Sequence, residues 1–129
     1  MKVLAVIFSV VLLAACGSNS GGVGSRTTME VDQEFLAGEV IKGEMITAKF
    51  KVTNTGNIPL IISEVSGSCT CTVADYPDDA IAPGESGEIL AHVNTEKTGT
   101  GMINKSIRIV ANTEPSVNMV WVRAKVKNN

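Results

Sequence analysis

The sequence predicts an all-β fold, a two-sheet antiparallel sandwich of about seven strands, on three observations. Beyond residue 28 apolar side chains recur at every second position in several short runs. Turn-forming Asn, Gly and Pro residues separate those runs, and no run calls for a helix. The chain has 129 residues, 44% of them hydrophobic and only 4% aromatic, which is material for one domain with a core of many small contacts. Lys and Arg number 11 against 13 Asp and Glu, a net charge of -2, so nothing draws the chain to nucleic acid.

The amino terminus comes first in the chain and decides the compartment. Lys2 supplies a positive charge, and residues 3–15 are Val, Leu, Ile, Phe and Ala broken only by Ser9, the pattern of a signal-peptide core. A helix of that length rises about 20 Å, short of the roughly 30 Å hydrocarbon layer, so a permanent span is the weaker reading. The flank Leu13-Ala14-Ala15-Cys16 resembles a bacterial lipobox, which implies that residues 1–15 are removed and that Cys16 carries the lipid. Residues 16–28 then read as the lipidated cysteine and a Gly/Ser-rich tether, and residues 29–129 as the domain. Gly17 stands where an aspartate commonly retains a lipoprotein in the inner membrane, which favours the outer membrane with the domain in the periplasm.

The strands follow. Ile46, Ala48, Phe50 and Val52 alternate with Thr47, Lys49, Lys51 and Thr53, so one face is buried and the other solvated. Ile107, Ile109 and Ala111 repeat the pattern, as do Val120, Val122, Ala124 and Val126. Leu60-Ile61-Ile62 and residues 89–93 are less regular, yet short and rich in branched side chains, which favours strands. Three Asn-Thr pairs, at Asn54-Thr55, Asn94-Thr95 and Asn112-Thr113, close strands with residues that tolerate turns. Phe35 and Phe50 join the Val, Ile and Leu set in the core.

Five blocks in order also carry a family resemblance: Phe50-Lys51-Val52-Thr53-Asn54-Thr55-Gly56, Pro59-Leu60-Ile61-Ile62, Ser68-Cys69-Thr70-Cys71-Thr72, Ile81-Ala82-Pro83-Gly84-Glu85, and Lys105-Ser106-Ile107 through Asn112. They resemble the domain-of-unknown-function family 1573. That resemblance implies an immunoglobulin-like sandwich, often found on bacterial lipoproteins, and implies no activity. Between the two cysteines this chain has Thr70 where the family usually has Gly.

Cys69-Thr70-Cys71 is the one constellation with chemical potential, because two thiols in an oxidising compartment can pair, exchange or hold Cu(I). On a strand, residues two apart share a face with Cβ atoms nearly 7 Å apart, so a disulfide needs a tight turn, and Thr70 resists one. Three readings stand: core-facing thiols on one strand face with Val73, a disulfide or redox pair, and a metal site, for which two ligands are too few. His92 reads as a solvated face residue. Residues 99–106 come within one residue of a P-loop, but Asn104 replaces the required glycine and a strand follows where a helix is needed. Trp121 shares a strand face with Arg123 and Lys125, a candidate partner contact. The expectation is therefore an envelope lipoprotein without catalytic residues, metal or cofactor. It would act as a structural or protein-interaction module whose partners are the membrane, through its lipid, and an unidentified envelope protein. The alternative is a thiol redox or copper-handling lipoprotein using Cys69 and Cys71.

Overall fold

The computed structural model describes residues 25–129. The signal segment, Cys16 and most of the expected tether lie outside them. Eight strands follow in order: β1 (Met29–Val31), β2 (Glu34–Ile41), β3 (Met45–Asn54), β4 (Ile62–Gly67), β5 (Thr72–Asp75), β6 (Ser86–Asn94), β7 (Gly101–Ala111) and β8 (Val117–Lys127). They form two four-stranded sheets, ordered β1-β3-β6-β5 and β2-β8-β7-β4. A 3-10 turn, Thr95–Lys97, links β6 to β7.

Strand β3 shows how the sequence builds the sandwich. Its buried residues Ile46, Ala48, Phe50 and Val52 face the opposite sheet while Thr47, Lys49 and Lys51 face solvent. Strand β6 of the same sheet adds Ile89, Ala91 and Val93, and β7 and β8 of the opposite sheet meet them with Ile103, Ile107, Ile109, Val120 and Val122. Each fully buried Val, Leu, Ile or Phe contributes about 1.5–3 kcal/mol, so the core rests on many aliphatic contacts rather than a few aromatic anchors. Phe35 is only partly buried and meets the Phe50 ring edge to face, centroids 6.4 Å apart.

Three details depart from the sequence-based expectation. Strands β2 and β8 pair in parallel, against an otherwise antiparallel arrangement. The chain leaves one sheet after β1 and joins the other at β2, and this crossing lets the first long strand run alongside the last. A bulge in β2 follows, with a register shift between Leu36 and Gly38, and Gly38 takes a φ of 71° that a side chain would resist. The run Leu60-Ile61-Ile62 is not one strand: β4 begins at Ile62, and Leu60 makes an isolated bridge to Ile81. Finally, the domain begins before residue 29. Thr27 is buried, bridges to Thr113 and donates its backbone N–H to Asn112, so the last residues of the expected tether pack onto the sandwich.

The Asn-Thr pairs are more than turn formers. Asn54 is completely buried; its Nδ2 donates to the carbonyls of Ile58 (2.7 Å) and Ile81 (2.9 Å), and its Oδ1 accepts from Thr27 Oγ1 (2.8 Å) and the Gly56 N–H (3.1 Å). Asn112 spans Pro59 and Ile61, and Thr95 accepts from Gly43 N–H while donating to the Glu44 carbonyl. These side chains satisfy loop backbone that no strand reaches.

Candidate functional site

The outer face of the β2-β8-β7-β4 sheet holds the predicted contact residues. Trp121, Arg123 and Lys125 do lie in one row on β8, with Trp121 half-buried between Glu34 of β2 and Ser106 of β7. The parallel neighbour β2 changes the electrostatics of this row. Arg123 lies 3.3 Å from Glu34, while Lys125 and Lys127 both approach Glu39, at 3.9 and 2.7 Å. Each cation of the row thus faces a carboxylate of β2. The hydrogen bond from Lys127, then its charge and that of Lys125, hold the Glu39 carboxyl below the usual glutamate range against a small opposing effect of burial.

Sequence reasoning missed the apolar component of this face. Leu36, 71% exposed, and Met102, 75% exposed, stand on either side of β8 and wall a shallow groove of about 360 Å³ floored by Gly38 and Ala124. The β2 bulge brings Gly38 to the floor, where no side chain fills the space. The signal lay in Leu36, two residues before Gly38, but the broken alternation hid the strand that displays it.

Cys69 and Cys71 are joined by a disulfide, with Cα atoms 5.2 Å apart. They do not share a strand face with Val73 as one reading expected. They lie in the turn between β4 and β5; Cys71 is buried, Cys69 partly so, and Val73 faces solvent. A Thr72 N–H to Cys69 carbonyl bond closes the turn, and the Thr72 hydroxyl points at both sulfurs, 3.8 and 3.7 Å away. Ser68 N–H reaches the Ser106 carbonyl of one sheet and the Cys71 carbonyl accepts from Asn94 of the other. The disulfide therefore sits where the chain crosses between sheets. Gly67 makes the crossing possible, because a Cβ there would stand 2.5 Å from Thr72 Cβ.

His92 lies on the outer face of the other sheet, 3.3 Å from Asp75 and 3.3 Å from Thr47 Oγ1; it pairs with solvent-facing Val73, two residues beyond Cys71, and its ring is held by Asp75 and Thr47. Among the described residues no three metal-ligating side chains come together. The P-loop-like residues run into β7 as extended strand, so they cradle nothing.

An immunoglobulin-like β-sandwich with an apolar groove on one sheet and a disulfide-bonded crossing turn is the class these features define. The chain belongs to the family described as protein of unknown function (DUF1573), whose model matches residues 28–126. Among solved structures it is similar to a protein of unknown function from Porphyromonas gingivalis, at 21% identity and a TM-score of 0.69 over 84% of this chain and 51% of that one. It is similar also to the ASH / PapD-like domain 7 of human CEP192, with 8% identity and a TM-score of 0.64 over 100% and 98% of the two chains. The secreted serine protease VesC of Vibrio cholerae matches with 15% identity and a TM-score of 0.61 over 78% of this chain, but only 23% of the protease. The chain thus spans about half the Porphyromonas protein and less than a quarter of VesC. No curated protein matches the sequence.

Proposed function

We propose that this protein is a non-catalytic protein-interaction module, held at the bacterial cell envelope by a lipid on Cys16, with its domain in the periplasm and its anchor in the outer membrane. The observation that carries the interaction role is the exposed pair Leu36 and Met102 on the sheet face that also carries Trp121. Large apolar side chains displayed together, rimmed by paired charges, suit a protein contact better than they suit solvent. The anchor rests on the residues before Cys16, and the PapD-like fold is compatible with binding through strands and sheet faces. The test has two arms. Intact-mass analysis of membrane fractions should find a chain beginning at an acylated Cys16, and Cys16→Ser should leave an uncleaved or soluble product. Photocrosslinking from positions 36 and 121 in intact cells should capture the same envelope protein, whereas position 49 on the opposite sheet should not. A mature chain starting elsewhere without acyl mass overturns the anchor; crosslinks only from position 49 overturn the surface.

The Cys69–Cys71 bond favours a second reading, a thiol–disulfide role at the envelope. Free-thiol counting with and without reductant and Cu(I) separates it from a purely structural bond.

A further inference from the structure

We propose that the first half of β7 is a docking edge for an extended segment of a partner protein that carries an acidic residue opposite Lys105. The inference rests on the interaction-module reading and gives it a site. Strand β8 pairs with β7 along Gly101 to Val110, but β4 covers only Ile107 to Ala111, with Ser68 extending the contact to the Ser106 carbonyl. Backbone groups alternate edges along a strand, so the N–H and C=O groups of Met102 and Asn104 point the same way as those of Ser106. Among the described residues no strand lies beside them. Four main-chain groups at successive ladder positions are the chemistry that an added β-strand satisfies.

Lys105 supplies the selectivity. It occupies an inward position between the buried Ile103 and Ile107, across from buried Val122, and is itself half-buried, with no ion pair or hydrogen bond from its side chain among the described residues. An inward charge guards an edge against indiscriminate pairing, since a strand laid over it would bury the ammonium without a partner. A carboxylate on the incoming strand removes that penalty, at a non-hydrogen-bonded position where the facing side chains come closest. A second copy of β7 brings no such group, because residues 101–111 contain neither Asp nor Glu. Charge complementarity thus favours an acidic extended segment of another protein, and pairing with a different strand of a second copy is an outcome of the test.

The probes are two capped peptides, Thr-Val-Thr-Glu-Thr-Val-Thr and the same sequence with Lys for Glu, added to the isotope-labelled full chain. The glutamate peptide should slow amide exchange at Met102 and Asn104, and the lysine peptide should bind roughly two- to fivefold more weakly, the worth of one cross-strand charge pair. Lys105→Glu should reverse that preference. Asn104→Pro, whose lost N–H faces the open edge and not β8, should retain the fold and lose binding of both. Equal binding of the two peptides, protection along another edge strand instead, or protection at Met102 and Asn104 that grows with protein concentration in the absence of peptide each overturns the proposal. The last outcome assigns the edge to a second copy. None of these arms involves the lipid or replaces Leu36, Met102 or Trp121, and the amides read out lie on the strand edge, so the edge site can fail while the envelope module stands.

Discussion

Replacing Asn54 with alanine should destabilise the domain by about 3–4 kcal/mol, more than most single substitutions. The side chain makes four hydrogen bonds and none of it is exposed. Its removal does not affect the partners equally. The Ile81 carbonyl keeps the Leu60 N–H at 2.9 Å, so that loss is mild. The buried Thr27 hydroxyl loses its acceptor, and an unsatisfied buried group costs about 1–3 kcal/mol. The partly buried Gly56 N–H and the Ile58 carbonyl lose theirs at smaller cost because water reaches them, and a small cavity adds the rest of the stated range. With a urea dependence of about 1–3 kcal/mol/M for a domain of this size, the unfolding midpoint should fall by roughly 2 M. Asn54→Asp makes the sharper test. It keeps the shape but turns an acceptor toward two carbonyls, so it should be at least as harmful at neutral pH. Burial raises the new carboxyl's pKa, so its deficit should shrink as pH falls and the group becomes a neutral donor. An alanine variant within about 1 kcal/mol of the parent, or an aspartate variant with a pH-independent deficit, would refute the reasoning.

Three further outcomes are expected. Changing Cys69 and Cys71 together to alanine should cost about 1–3 kcal/mol, because the bond closes a very short loop and Cys71 is buried; an unchanged melting temperature with a lost cellular phenotype would point to thiol chemistry instead. Gly67→Ala should cost about 1–3 kcal/mol through its clash with Thr72, whereas Gly99→Ala, with open space around it, should be nearly silent in the same urea titration. Glu39→Gln should lower stability slightly at neutral pH and lose that effect in acid. A depressed carboxyl pKa stabilises the fold above the unfolded value, and the benefit disappears as pH falls through the folded one, so thermal melts of parent and variant should converge at low pH and in high salt.

The long inner strands were legible because both their faces follow one rule, as in β3, where Ile46 to Val52 alternate without a break. Strand β2 was hidden by its bulge: Ala37 and Gly38 together oppose one residue of β8, which shifts the apolar period within eight residues. Its parallel partnership with β8 was hidden for another reason, since pairing is chosen by the assembled sheet and leaves no local mark. The same gap hides the ion pairing of the Trp121 row, whose carboxylates Glu34 and Glu39 come from β2. At the cysteines the chain turns instead of running extended, and the cause, close packing of Gly67 on Thr72, is tertiary and leaves no local mark. The Asn-Thr pairs were correctly placed at strand ends, yet nothing local distinguishes a solvated turn asparagine from the buried Asn54.

The place where the chain joins the sandwich has a consequence for orientation. Ser25, Arg26 and Thr27 are fastened to Asn112, Thr113 and Glu114, so any anchor upstream pulls on the pole formed by those loops. Strand β7 runs from Gly101 to Ala111, and Met102 and Asn104 lie roughly 25–30 Å from that pole at about 3.3 Å per residue. A lipid on Cys16 would attach the domain by that pole and leave the open edge at the far end, so a segment pairing with the edge meets the end of the domain away from the point of attachment.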